Sequence, residues 1–147
     1  MTAMSLPYSR LWPEDDSTVQ IGPVPISHDS AVAGAASADI GAVVTFTGIV
    51  RADQGVQSLL VEAYPEAAAE ELERIVQEAA LLFGASVDVI HRTGKLAAGE
   101  AIVLITSAAA HRREAFLACE YTIEELKRRA PLWKKEMGSF GDRWVGK

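Results

Sequence analysis

Residues 100–136 read EAIVLITSAAAHRREAFLACEYTIEELKRRAPLWKKE and carry the clearest structural pattern in the chain. Residues 100–106 are rich in β-branched side chains, which predicts a strand. A helix is expected near residues 111–129, because apolar side chains recur there at steps of three and four. Those side chains are Phe116, Cys119, Ile123 and Leu126. Pro131 cannot continue the helix, so residues 131–135 are expected to be extended.

Upstream of this segment, strands and helices alternate. Strands are expected at residues 42–51, 56–64 and 86–91, where β-branched and apolar residues cluster. A helix is expected at residues 66–83, because Pro65 is well tolerated in a first helical turn. The apolar face of this helix consists of Leu72, Ile75, Val76, Ala79 and Phe83.

Before residue 41 the pattern is weaker, since prolines interrupt any long element. A short strand is expected at residues 19–21, and one or two helical turns at residues 30–36. Residues 1–16 are expected to form a loose N-terminal arm, and residues 17–147 a single domain. The order β-β-α-β-β-α-β predicts an α+β fold with a mixed or antiparallel sheet and two main helices.

Composition excludes several classes of protein. The 147 residues are 49% hydrophobic and 23% charged, so the chain can bury enough apolar surface to fold. One cysteine cannot form a disulfide framework or a four-cysteine zinc site, and the three histidines lack zinc-like spacing. We therefore expect no metal site and no cofactor. Neither a signal peptide nor a membrane-spanning apolar segment is recognisable, so a soluble, cytoplasmic protein is expected.

Charge is distributed unevenly along the chain. Residues 1–111 carry 5 lysines and arginines against 14 acidic residues, whereas residues 112–147 carry 9 against 6. The formal net charge of −6 argues against a broad nucleic-acid surface, so the basic end predicts a local anion site. A solvated helix face would explain the same charges equally well.

Two lysines stand out because they flank the rigid Pro131. Lys127 lies at the expected helix end, where a cation also interacts favourably with the helix dipole. Lys134 follows Trp133, whose apolar surface is expected to desolvate the lysine and lower its pKa. The competing interpretation of Lys134 is an ordinary exposed strand lysine.

Other cations lie at the ends of expected elements. His111, Arg112 and Arg113 sit at a helix start, where a cation opposes the helix dipole and is a poor choice for stability alone. Free backbone N–H groups there attract anions, so this cluster favours phosphate or carboxylate binding, although pairing with Glu114 is an alternative. Arg51 ends a strand and suits bidentate binding of the same groups, or is simply a solvated side chain.

Two further candidates have structural interpretations. Cys119 shares the helix stripe with Ile123 and is expected in the core rather than as a nucleophile. His91 and Arg92, at the end of an expected strand, are also interpreted as structural.

The run of residues 41–135 resembles the large, catalytic subunit of molybdopterin synthase. The matching pieces are GAVVTFTGIVR at 41–51, VEAYPEAA at 61–68, HRTGKLAAGE at 91–100, AHRREAFLACE at 110–120 and LKRRAPLWKKE at 126–136. Residues 142–145 extend the match, which covers about two thirds of the chain in the right order and spacing. The family fold that this resemblance implies is an α/β hammerhead with an added small β subdomain.

The resemblance implies sulfur transfer in molybdenum cofactor biosynthesis. The family converts cyclic pyranopterin monophosphate to molybdopterin by installing a dithiolene. The sulfur arrives as a thiocarboxylate on the C-terminal Gly-Gly of a small ubiquitin-like subunit, whose tail threads into the large subunit. Two large subunits form a central homodimer with one small subunit at each end, which makes a heterotetramer.

The resemblance also implies roles for individual residues. Lys127 and Lys134 would form the catalytic pair. Lys134 would act as a general acid or base or briefly capture the acyl group, and Lys127 would orient the substrate and stabilise developing negative charge. The residues implied to bind the substrate phosphate and pterin are Arg51, His111 and Arg112. Those implied to line the channel for the partner tail are Phe46, Ile123 and Trp133.

Two other functions compete with this interpretation. A non-catalytic module could bind a ubiquitin-like tail or another anionic peptide in the same cleft without needing both lysines. A nucleic-acid binder could use the basic residues 127–135, but the acidic net charge and the few aromatic residues nearby argue against it.

Overall fold

The computed structural model describes residues 18–145, so the loose arm expected at residues 1–16 lies outside the described residues. Within that range the strands are β1 (Val19–Gly22), β2 (Ala42–Ile49), β3 (Val56–Ala63), β4 (Ser86–Arg92), β5 (Gly94–Ala97), β6 (Ala101–Ala109), β7 (Leu132–Gly138) and β8 (Gly141–Val145). The helices are α1 (His28–Ala35), α2 (Pro65–Phe83) and α3 (Arg112–Arg129), and a short 3-10 turn spans Asp53–Gly55.

The strands form two four-stranded sheets. Sheet A has the order β1-β4-β6-β2, in which β1 is parallel to β4 and the other pairs are antiparallel. Sheet B has the order β5-β3-β7-β8 and is antiparallel throughout. The predicted α+β fold, with mixed and antiparallel pairing, two long helices and an added β unit, is therefore confirmed.

Helices α2 and α3 pack on sheet A and form the main core with it. The fully buried side chains of this layer include Leu72 and Ile75 from α2, Ala115 and Ala118 from α3, and Val89 and Ile105 from sheet A. Burying a large aliphatic side chain contributes roughly 1.5–3 kcal/mol, so this layer is the main source of stability in the fold.

Most of the predicted elements are confirmed. Helix α2 begins at Pro65, and Gly84 ends it with a left-handed φ of 66°, which glycine adopts without steric cost. Strand β1 contains residues 19–21, where a short strand is expected, and α1 overlaps the helical turns expected at residues 30–36. The extended segment expected after Pro131 is β7.

The predicted apolar stripe of α3 is wrong at one position. Phe116 is 60% exposed, whereas Cys119, Ile123 and Leu126 are buried as predicted. The buried face is completed by the small residues Ala115, Ala118 and Thr122. Because α3 turns by about 100° per residue, the small residue Ala115 takes the buried position and Phe116 lies beside the buried face.

Two short strands were not predicted. Strand β5 pairs with β3, and β8 pairs with β7 to form one edge of sheet B. Neither strand has the length or the apolar alternation that marks a strand in a sequence. Residues 107–109 were expected to lead into the helix, but they continue β6, where they pair with β2.

A charge cluster joins α2 to α3 at the surface. Arg129 of α3 bonds to Glu71 of α2 at 2.7 Å, to Glu78 of α2 at 2.7 Å and to Glu125 at 3.0 Å. Tyr121 donates a further hydrogen bond to Glu78 at 2.6 Å. The bonds from Arg129 and from Tyr121 lower the pKa of the Glu78 carboxyl to about 2.

Candidate active site

The two lysines that flank Pro131 lie on neighbouring elements. Lys127 is in the last turn of α3, and Lys134 is the third residue of β7. The helix closes with the Ala130 N–H donating to the carbonyl oxygen of Leu126 at 3.0 Å, after which proline prevents another turn. Ala130 and Pro131 alone connect α3 to β7, which carries Lys134 into sheet B.

Lys134 lies on the buried face of sheet B. It pairs directly with Val61 of β3, and residues opposite each other on paired strands share a face. Val61 is 1% exposed and belongs to an apolar cluster with Val50 and Ile102, which lie at one end of sheet A. Lys134 is therefore half-buried, on the side of sheet B that carries this apolar cluster.

The electrostatics of Lys134 reflect this position. Burial lowers the pKa of its ammonium group, and the positive charge of Lys127 lowers the pKa further. The predicted lowering is confirmed, but its assignment to Trp133 is wrong, because successive residues of a strand point to opposite faces. Trp133 faces away from Lys134 and packs edge to face on Tyr64, with ring centroids 5.3 Å apart.

Neither lysine is neutralised within the described chain. Across residues 18–145, no carboxylate forms an ion pair with Lys127 or Lys134, whereas Lys135 contacts Asp142 at 3.8 Å. Two ammonium groups that repel each other without a counter-charge make a local positive site in an acidic protein. That arrangement suits an incoming phosphate or (thio)carboxylate.

A buried histidine lies within the electrostatic reach of Lys134. His91 of β4 has no exposed surface, and its Nδ1 bonds to the carbonyl oxygen of Arg92 at 2.9 Å. Burial lowers the pKa of His91 to about 4, the bond to Arg92 opposes this shift, and the charge of Lys134 adds to it. His91 is therefore neutral at physiological pH.

Arg92 has the structural role predicted for it. Its guanidinium bonds to Glu100 at 2.8 Å and to the carbonyl oxygen of Pro23 at 3.1 Å. These bonds tie the end of β4 to the loop before β6 and to the segment after β1.

Arg51 lies at the same end of sheet A as the lysines. It follows β2, whose last residue Ile49 pairs with Ala101 at the start of β6. Helix α3 follows the other end of β6 and runs back, so its C-terminal turn with Lys127 also lies towards this end. The Arg51 side chain is 84% exposed and contacts Asp53 at 3.1 Å, so it is free to exchange that carboxylate for a substrate anion.

His111 and Arg112 lie at the opposite end of the molecule. His111 caps α3 without a side-chain hydrogen bond, Arg112 is the first helical residue, and both are exposed. At a rise of 1.5 Å per residue, the 15 steps along α3 from Arg112 to Lys127 span about 22 Å. One chain therefore does not bring these two groups to the lysines.

The three residues assigned to the partner tail do not line a shared channel in one chain. Phe46 is half-buried and packs against the main core, and Ile123 lies within that core. Trp133 is 42% exposed and lines a separate cavity of about 580 Å³ with Tyr64 and Gly94. A second cavity, of about 420 Å³, lies beside Asp88 between α1, α2 and sheet A, and neither lysine lines either cavity.

Cys119 has the core position predicted for it. Its thiol is buried in α3, and burial raises its pKa to about 11, so it stays protonated and unreactive. Residues 18–145 contain no group of three or more histidine, cysteine or acidic side chains placed to hold a metal ion. No helix in the same range is long and apolar enough to cross a membrane.

Comparisons with known proteins identify the family. The model of the MoaE protein family matches residues 21–129. The molybdopterin synthase catalytic subunit of Caulobacter vibrioides is 50% identical over 109 residues, which span 73% of this chain and 73% of the relative. The crystal structure of molybdopterin synthase from Staphylococcus aureus matches with a TM-score of 0.85 at 33% identity, covering 90% of this chain and 100% of the other.

A further solved structure shares the fold. A protein–protein complex of subunits 1 and 2 of the molybdopterin-converting factor from Helicobacter pylori contains a chain that matches with a TM-score of 0.73. Its identity is 23%, with 89% of this chain and 92% of the other covered, so this likeness concerns the fold alone. On the family model and the closely similar sequences, the chain belongs to the MoaE family of molybdopterin synthase catalytic subunits.

Proposed function

We propose that this chain converts cyclic pyranopterin monophosphate to molybdopterin, with sulfur from the C-terminal thiocarboxylate of a small ubiquitin-like subunit. The observation that carries the proposal is the pair Lys127 and Lys134, two cations that repel each other and have no carboxylate partner within residues 18–145. Both the substrate phosphate and the donor tail are anions that such a pair attracts.

The two lysines suit different steps. The lowered pKa of Lys134 increases the fraction of neutral amine at physiological pH, which is the form that accepts a proton or attacks an acyl carbon. Lys127 is exposed and has no carboxylate partner in the described chain, so it suits orienting the phosphate and stabilising negative charge that develops on the tail's carbonyl oxygen.

The sulfur must come from outside this chain. The sequence contains one cysteine, and Cys119 is buried with a raised pKa, so no thiolate is available as a carrier. A separate protein that brings its own thiocarboxylate meets this need. In the H. pylori protein of the same fold, subunits 1 and 2 were solved as a complex.

The proposed site requires two copies of the chain. Arg112 is about 22 Å from Lys127 along α3, and His111 precedes it, so both are too far away to bind the same small substrate as Lys127. A homodimer in which the start of one α3 approaches the lysines of the other chain would complete the site. Phe116, exposed one helical turn beyond Arg112, is apolar surface of the kind that such an interface buries. With one small subunit per chain, the assembly is a heterotetramer.

We propose that the reaction takes place in the cytoplasm. The function is tested by reconstituting the reaction from purified components under reducing conditions at neutral pH. The protein is mixed with a thiocarboxylated small subunit and cyclic pyranopterin monophosphate, and dithiolene product is assayed. Lys134→Ala is expected to lose product formation by at least about a hundredfold, as for loss of a general acid or base, while still binding the small subunit.

The matched control is Lys95→Ala, which removes an exposed lysine from β5 of the same sheet. It is expected to keep normal turnover. Near-normal turnover by Lys134→Ala would remove Lys134 from the mechanism. Tight binding of the small subunit by the native protein without any product would favour the non-catalytic tail-binding module instead.

A further inference from the structure

The buried imidazole of His91 has one nitrogen that the fold leaves without a partner. The Arg92 carbonyl oxygen, 2.9 Å from Nδ1, can only accept a hydrogen bond, so Nδ1 carries the proton and Nε2 is a bare acceptor. Nε2 is fully buried and makes no hydrogen bond within residues 18–145. A buried acceptor without a donor is costly, so its presence in a well-packed sheet requires an explanation.

Topology and charge both point to Lys134. His91 pairs with Val103 of β6, next to Ile102, which belongs to the apolar cluster of Val61, the strand partner of Lys134. Lys134 is also the cation whose charge acts on the His91 ring. Lys134 in turn feels the charge of Lys127 on α3. The three side chains form a series from the interior to the surface, with His91 buried, Lys134 half-buried and Lys127 exposed.

We propose that His91 is a positioning residue for Lys134. Its Nε2 accepts a hydrogen bond from one buried water, which in turn accepts one from the Lys134 amine, and this bridge directs the lone pair of the neutral amine outward to the substrate. This inference rests on the proposed function, because it presumes that Lys134 reacts as an amine.

The chemistry of a neutral imidazole suits this role. A neutral amine has two N–H donors and one lone pair, so holding one N–H restricts the direction of the lone pair. A carboxylate in place of His91 would hold Lys134 in its charged form and remove its lone pair. A neutral acceptor such as the imidazole orients Lys134 and favours its ammonium form less than a carboxylate would.

The hydrogen bond is tested without any assay of turnover. The nitrogen-15 NMR signals of the His91 ring are compared in the native protein, in Lys134→Met and in the control Lys95→Met. We expect the Nε2 signal to move toward that of an unbonded acceptor in Lys134→Met only. An Nε2 signal unchanged by Lys134→Met would overturn the proposal. Because both variants keep His91, this comparison does not depend on the stability of a His91 variant.

The positioning role is tested by kinetics in the reconstituted reaction. His91→Phe is expected to lower kcat by about tenfold or more with KM changed by less than about twofold, because the amine is misdirected rather than lost. His91→Gln, whose amide oxygen can accept a hydrogen bond, is expected to restore most of kcat. An unchanged kcat in His91→Phe, or an equal loss in His91→Gln, would contradict the role.

The matched control is Ser107→Ala on β6. The Ser107 hydroxyl is also buried without a hydrogen-bond partner among residues 18–145, but Ser107 pairs with Val87 toward the other end of β6 from Val103, the partner of His91. Its removal is expected to leave kcat unchanged. If the native protein itself forms no dithiolene product, the proposed function fails, and the NMR comparison still decides whether Lys134 bonds to His91.

Discussion

The lowered pKa of Lys134 has two physical sources at the scale of single side chains. Pairing with Val61 places the lysine stem on the buried face of sheet B, and Lys127 adds a like charge. The sequence pointed to both lysines, because they flank a proline within a basic segment. It could not show that Val61, far away along the chain, is the strand partner beside which Lys134 is buried, nor that the charge of Lys134 acts on the ring of His91.

Replacing Lys127 by methionine is expected to raise the pKa of Lys134. Removing a neighbouring positive charge favours the ammonium form, so the neutral amine appears at higher pH. The rate of a single turnover, measured against pH, should therefore rise at higher pH than in the native protein. Lys127→Arg keeps the charge and is expected to keep the native midpoint. A midpoint that stays in place in Lys127→Met would show that Lys127 does not influence the titration of Lys134.

At the scale of elements, α2 and α3 are joined in two ways. Their apolar faces pack in the core with sheet A, and Arg129 links Glu71, Glu78 and Glu125 across the helix surfaces. The spacing of apolar residues predicted that both helices pack in the core, because this spacing can be seen in the sequence of each helix separately. The charge cluster around Arg129 depends on which faces of α2 and α3 meet, and the packing of both helices on sheet A determines those faces.

Arg129→Met is expected to lower the free energy of unfolding by roughly 1–2 kcal/mol at neutral pH, since it removes several partly exposed charged hydrogen bonds. The folded pKa of Glu78 is depressed to about 2 from 4.5, so this contribution is complete above 4.5 and is lost as the pH falls toward about 2. Urea unfolding of both proteins at neutral pH and at about pH 3 measures the difference.

The control for this experiment is Arg74→Met, which removes a single pair with Glu71 inside α2. It is expected to change the free energy of unfolding by less than about 1 kcal/mol. A loss in Arg129→Met that is the same at both pH values would mean that packing, and not charge, accounts for the effect.

At the scale of the whole molecule, the proposed site residues are divided between two ends. Lys127, Lys134 and Arg51 lie toward one end of sheet A, whereas His111 and Arg112 begin α3 at the other. The sequence motifs predicted each group, but they could not predict this separation. It follows from the topology, because α3 begins just after β6 ends and its 18 residues carry Lys127 about 22 Å away from Arg112.

Mixing two inactive variants tests whether two chains share a site. Lys134→Ala and Arg112→Ala are each expected to be inactive alone. In a hybrid dimer one site keeps the lysine of one chain and the arginine of the other, so an equal mixture should regain roughly a quarter of native activity. Native mass spectrometry confirms that hybrid dimers form. Hybrid dimers without regained activity would place each complete site within one chain.

The short connection between α3 and β7 limits the insertions and deletions that this protein can accept. Only Ala130 and Pro131 separate a helix from a strand whose side chains alternate between two faces. Adding or deleting one residue there would exchange the faces of Trp133 and Lys134 and put an indole where the amine belongs. Such a change could leave the number of backbone hydrogen bonds nearly intact and still abolish the chemistry, so length variation at this junction should be far less tolerated than substitution.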